Sequence, residues 1–190
     1  MKKILISLFV FIMIISCVNE QPKAKFVEVT FAVNDTLLAE KYICKDLGIS
    51  FKPPRDWQKI NHKMMSAIID KTLATQDTAV INILPVNVFL NKERSYSCFL
   101  SSIQSKFINN YIREFKAAAE EIKINEGAFS HNGINFNQLL FSKDDLVTVK
   151  LIAESNKDMS FMIDYIVPSK QYESILRTIE SSIGSIKKNK

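Results

Sequence analysis

The groups able to do covalent or acid–base chemistry are few in this chain and thinly spread. Histidine occurs only at His62 and His131. Neither stands in a His-x-x-x-His or Glu-x-x-His pattern, and no Cys-x-x-Cys occurs, so the sequence offers no metal motif. His62 falls near a predicted helix start and His131 beside a predicted hairpin turn, positions that normally face solvent. Gly-x-Ser-x-Gly is absent, and Ser102 to Lys106 holds no Ser-x-x-Lys. A Ser/His/acid triad needs no sequence proximity, but nothing here points to one. The carboxylate pairs Glu120-Glu121 and Asp144-Asp145 fall at a predicted helix end and in a turn. General acid–base pairs usually come from separate elements lining a cleft, so these read as solvated surface. Gly127 stands alone in a strand-like run and reads as a bulge, not as part of a phosphate-cradling loop. That leaves three cysteines, Cys17, Cys44 and Cys98.

Cys17 has the most telling context. Lys2 and Lys3 precede an apolar run from Ile4 to Ile15, broken only by Ser7. The run is short for a spanning helix and suits the h-region of a secretory signal. It ends in Ile14-Ile15-Ser16-Cys17, which resembles the lipobox of bacterial lipoproteins. That resemblance implies cleavage between Ser16 and Cys17 and a lipid on the Cys17 thiol, the only good nucleophile in the region. It also implies a protein held on a membrane of the cell envelope by two or three acyl chains. Export permits a disulfide between Cys44 and Cys98. Isolated cysteines in apolar surroundings are as often buried free thiols.

Composition narrows the class further. A chain of 190 residues with 47% apolar residues can build one domain with a sizeable core. Four glycines against 13 phenylalanines point to a core of large rings. The formal charge of +5 falls to +3 once Lys2 and Lys3 are removed with residues 1–16. Charges in the remainder are interspersed, so nucleic-acid binding is not expected. The basic tail Lys187-Lys188-Asn189-Lys190 reads first as a solvated end, and second as a weak attraction to anionic headgroups.

The elements that must position these residues follow from periodicity. From Ile134 to Ile183 the pattern predicts three strands and a helix. Val147, Val149, Leu151 and Ala153 alternate with Leu146, Thr148, Lys150 and Ile152, and Met159 to Val167 alternates in the same way. After Pro168, Tyr172, Ile175, Leu176, Ile179 and Ile183 form one helical stripe that should fold back over the sheet, with Gly184 as C′ residue. Asn132-Gly133 predicts a hairpin. Upstream, Tyr42 to Cys44 and Ile49 to Phe51 read as short strands, and Trp57 as a buried anchor. Asn61 is a credible N-cap for a helix ending near Gln76. Ala79 to Leu90 reads as a strand whose Pro85 demands an edge or a bulge. The stripe Ile103, Phe107, Tyr111, Ile112 and Phe115 predicts a helix starting between Ser95 and Ser102, although Tyr96, Cys98 and Leu100 also alternate. The implied organisation is a signal over 1–16, a tether over 17–41, a domain over 42–186 and a tail over 187–190.

The run Gly48-Ile49-Ser50-Phe51, Pro54 and Trp57, with the exit from Pro168 into Ile179-Glu180-Ser181-Ser182-Ile183, resembles the PsbP-like superfamily. That superfamily includes PsbP, nuclear Ran-binding proteins and DcrB-type lipoproteins. The resemblance implies an α+β fold, an antiparallel sheet between helical layers, and a mostly non-enzymatic interaction module. It brings no catalytic residues and no cofactor.

Three functions follow as expectations. The first is a lipid-anchored envelope module that binds another envelope protein or itself. The second is a carrier or sensor of a small apolar ligand, in a cavity between Phe129, Phe136, Phe141 and Phe161 and the helix bearing Phe107 and Phe115. The third is a hydrolase with dispersed residues.

Overall fold

A computed structural model describes residues 26–75, 83–119, 121–154 and 158–189. Cys17, Ser16 and the whole expected signal lie outside the described residues, as do Gln76, residues 79–82, Glu120, residues 155–157 and Lys190.

Eleven strands and three helices are described, along with short 3-10 turns. In chain order they are β1 (Val27–Glu28), β2 (Tyr42–Cys44), β3 (Ile49–Phe51), β4 (Gln58–Lys59), α1 (His62–Thr75), β5 (Leu84–Asn91) and β6 (Tyr96–Gln104). Then come α2 (Ile108–Ala118), β7 (Ile124–His131), β8 (Ile134–Lys143), β9 (Leu146–Glu154), β10 (Met159–Pro168), α3 (Tyr172–Gly184) and β11 (Lys187–Lys188). Eight strands form one sheet in the order β1-β7-β8-β9-β10-β6-β5-β4, and β11-β3-β2 form a small second sheet. Every pairing is antiparallel except β1 with β7.

The central hairpins follow from local chemistry. Asn132 and Gly133 adopt φ of 51° and 69° between β7 and β8. Asp144 and Asp145 do the same at 49° and 62° between β8 and β9. Two consecutive positive φ angles make the tight turn whose twist matches that of the flanking strands. Asn61 caps α1 by accepting from the Met64 N–H at 2.9 Å. The ladder of β5 shifts register between Pro85 and Asn87, the bulge that Pro85 demands.

The large sheet is covered on both sides. Val149, Leu151, Phe161, Ile163 and Tyr165 face α3 and the small sheet, where Phe51, Ile179 and Ile183 close over them. Trp57 is 3% exposed and leans on Tyr96 and Tyr165, with centroids at 5.6 and 6.2 Å. On the other side Ile103, Leu139, Ile152 and Met162 meet Ile108 of α2.

The structure corrects several expectations. The helix expected from Ser95–Ser102 begins only at Ile108, because Tyr96–Gln104 is β6, paired with β5 on one side and β10 on the other. The alternation of Tyr96, Cys98 and Leu100 was the true signal, and strand pairing outweighs helical propensity there. Gly184 is the last helical residue, without a positive φ. Its need is space, since a Cβ there would sit 2.5 Å from Phe31 Cβ and 2.8 Å from Val33 Cγ2. Gly127 is not a bulge; it pairs with Gln138 in an unbroken ladder.

The domain is also wider than 42–186. Within the expected tether, β1 pairs with Phe129 and Ser130, and the Asn34 N–H donates to Ser181 Oγ at 3.2 Å. Within the expected tail, β11 pairs with β3, and the Asn189 N–H donates to the Gly48 carbonyl at 2.8 Å. Finally, the rings proposed to line one cavity are split. Phe129, Phe136 and Phe161 pack in sequence on the α3 side, whereas Phe141 meets Phe115 on the α2 side.

Candidate functional site

A groove of about 620 Å³ opens where the β4–α1 connection meets the β5–β6 turn. Pro53 and Pro54 end β3's run, and the chain re-enters the sheet only for the two residues of β4. That brief visit places Arg55, Asp56 and Lys59 along one wall. The opposing wall comes from the turn after β5, where Asn91 Oδ1 accepts from the Arg94 N–H at 3.1 Å and presents Lys92 and Glu93. Ile60, Met64 and Leu90 supply an apolar floor. Lys59 Nζ lies over the Tyr42 ring at 5.3 Å, which holds that cation at the rim. No histidine, cysteine or serine lines the groove. Its chemistry is recognition: cations and carboxylates together on a shallow apolar base. A smaller groove of about 270 Å³ lies at the start of β7, where Leu140, Val147 and Tyr172 face Lys123 and Asn125.

A second polar cluster is buried under α2. Lys150 and Asp164 are directly opposite on β9 and β10. The Lys150 ammonium donates to both Asp164 oxygens, at 2.8 and 2.7 Å, with the lysine 6% exposed. The Tyr111 and Phe115 rings cover it at 5.6 and 5.7 Å. Burial pulls the lysine's pKa down, but the Asp164 carboxylate and Tyr111 outweigh it, so the net direction is up. Burial also raises Tyr111, opposed by the neighbouring ammonium. Lys150 is thus a closed, permanently charged partner of Asp164. Lys150 and Asp164 each interrupt an otherwise apolar strand on the same face, so once the β9–β10 hairpin is in register the pair was available from the sequence.

The residues singled out from the sequence do not converge on either place. His62 is exposed on α1. His131 is 7% exposed, contrary to the solvent-facing position expected. Its ring nitrogens lie 2.8 Å from the Val29 carbonyl oxygen and 2.9 Å from that of Gly184. Whichever nitrogen carries the proton donates to a main-chain carbonyl. The hairpin end is covered because residues 29–33 cross it, with Phe31 edge-on to the imidazole at 5.0 Å. Asn132 adds a donation to the Ile186 carbonyl at 2.8 Å. This cluster ties Val29, Gly184 and Ile186 to one turn. Cys44 and Cys98 form no disulfide; both are free, buried thiols. Cys44 belongs to the small sheet and Cys98 to the large one, each enclosed by apolar side chains. Burial drives both thiols up in pKa, which makes them poor nucleophiles. Glu121, Asp144 and Asp145 are exposed.

No protein-family model matches the chain, and no curated protein matches it. Among solved structures the chain is similar to cyanobacterial PsbP (CyanoP) from Synechocystis, at 13% identity over 79% of this chain and 92% of that one, with a TM-score of 0.50. It is also similar to a Bacteroides thetaiotaomicron protein at 12% identity and a TM-score of 0.43, covering 80% of this chain but only 48% of that one. LpqN of Mycobacterium tuberculosis, described as involved in cell envelope biogenesis, matches at 9% identity over 73% of this chain and 82% of that one, with a TM-score of 0.44. At these identities the likeness is one of architecture: the chain has a mixed α+β fold, a large sheet with three helices, similar to that of PsbP.

Proposed function

We propose that the chain is an exported, lipid-anchored protein of the bacterial cell envelope, working as a non-enzymatic interaction module that binds another envelope protein or a second copy of itself. The observation that carries the reading is the two-signed groove. Arg55, Lys59 and Lys92 on one hand, and Asp56 and Glu93 on the other, make no ion pair with one another or with other described residues. Charges left unneutralised around an apolar floor suit the complementary surface of a protein, where they set encounter rate and register. The anchor is supported by the sequence around Cys17. The interior gives no comparable support to an apolar-ligand carrier, because Phe129, Phe136 and Phe161 fill it by contact with one another.

The test is native mass spectrometry on protein gently extracted from its own membrane. A second polypeptide or a doubled mass is expected, and it should be lost in the Arg55→Glu, Lys59→Glu double variant. A bare monomer carrying a reproducible small adduct would overturn the reading in favour of a carrier. The anchor has its own test. Cys17→Ser should abolish lipidation and leave an unprocessed or mislocalised protein, and normal size with normal membrane retention would refute it.

A further inference from the structure

The small sheet has one side in the core; on its other side the central residue, Ser50, is 4% exposed, and the flanking Ile43 and Lys187 meet solvent. Cys44, Ile49 and Phe51 point inward and are buried. Residues directly opposite one another in a ladder share a face. Ile43 is opposite Ser50, and Ser50 is opposite Lys187, so Ile43 and Lys187 belong to the outer side. Ile43 is 50% exposed, an unusual state for a large aliphatic residue in the middle of a strand. Lys41 and Lys45 stand two residues away on either side, just beyond the ends of β2. Lys187 extends the cationic rim along β11, while Lys188, opposite Ile49, leaves from the edge of that strand. All four lysines are exposed, and none forms an ion pair with another described residue. Lys52 next door is already neutralised by Asp35 at 2.8 Å. The acids of this region are Glu40 and Asp46, so cations prevail.

We propose that this outer face, with Ile43 at its centre and Lys41, Lys45 and Lys187 around it, rests on an anionic lipid headgroup surface. The proposal builds on the anchored reading above. An isolated isoleucine among long, mobile lysine stems offers no pocket for a partner's side chain, and neither groove of the molecule lies on this face. A headgroup layer requires no such shape. It takes up an apolar side chain at its boundary and attracts cations within a Debye length. The lipid on Cys17 would hold the domain close to the membrane, and this face would orient it there.

The experiment uses the full chain carrying a nitroxide at Ile43→Cys. It is reconstituted into vesicles of phosphatidylcholine alone, or with about one-third phosphatidylglycerol. In the anionic vesicles the label should lose access to a water-soluble nickel chelate and gain access to oxygen, and high salt should reverse this. In phosphatidylcholine it should stay in water. A control label at Leu146→Cys should stay in water in both. Lys45→Gln should weaken the contact about fivefold, the effect of one lysine near such a surface. A label at position 43 that stays wet in both vesicle types overturns the proposal. A label that is dry only in native membranes overturns it too, in favour of an acidic protein partner. Sedimentation of the chain with both vesicle types reports the anchor separately, so failure of the anchor and failure of this face are distinguishable.

Discussion

On the α3 side of the large sheet the packing is deep and mainly apolar, its buried hydroxyls such as those of Tyr165 and Ser182 hydrogen-bonded to each other, whereas on the α2 side one short helix covers a charged pair. Phe136, Phe161, Ile163 and Tyr165 are all 0% exposed on the first side, in one cluster with Phe31, Ile183 and Ile186. The second side holds five fully buried apolar residues, and Tyr111, Phe115 and Phe141 around them are half-buried. Burial of apolar area is the main stabilising term, so most of the folding energy should reside on the α3 side. The α2 side trades some of that energy for an ion pair whose desolvation offsets much of its attraction. The lesson is that the same sheet can carry a rigid foundation and a more easily opened cover.

Substitutions can break or sharpen this contrast. Phe136→Ala should cost about 4 kcal/mol by urea denaturation, because its ring stacks on Phe129 at 5.1 Å and meets Phe161 at 6.1 Å with no room to collapse. A loss under about 1 kcal/mol would show that the α3 side is not the foundation. Lys150→Ala should cost about 3 kcal/mol by leaving Asp164 without its partner, while Lys150→Met with Asp164→Leu should restore most of that stability. If the double variant is no better than the single, the pair is worth more than a hydrophobic isostere. Gly184→Ala should cost about 2 kcal/mol in the same assay through its collision with Phe31 and Val33. Phe115→Ala, on the half-buried cover, should cost only about 1–2 kcal/mol.

The smallest effect expected is on pH. Burial, with Asp164's charge, holds the Cys98 thiol well above its usual 9.0. Burial, with Cys98, holds the Tyr165 phenol well above its usual 10.0. Lys150 is raised above 10.5 despite its burial. In each case the fold keeps a proton that the unfolded chain gives up at its ordinary value. Stability should therefore be whole below pH 9 and fall as pH rises beyond it. Thermal melting from neutral to alkaline pH checks this, and because burial raises Cys44 as well, Cys44→Ala with Cys98→Ala should move the onset from about pH 9 toward about pH 10. A melting temperature level through that range would refute the assignment.

Local rules made the β8–β9–β10–α3 unit legible. Alternation, the Asn132-Gly133 turn and the stripe from Tyr172 to Ile183 all agree, and no distant contact contradicts them. The errors lie where distant contacts decide. Tyr96–Gln104 is a strand because β5 and β10 flank it. Gly184 is required by Phe31 and Val33, more than 150 positions away in the chain. His131 is buried by a segment that the sequence presents as tether. The groove escaped notice because its walls are joined only when β4 pairs with β5, and a two-residue strand leaves no periodic trace.

The knot around His131 has a consequence for how the chain is made. β1 has no partner until β7 exists, Asn34 waits for Ser181, and β3 lacks one neighbour until β11 appears. A ribosome emits the first of these segments long before the last. The molecule therefore closes like a bracelet whose clasp is the segment from Ser181 to Lys188, and a nascent chain that has not yet emitted that segment would still hang open.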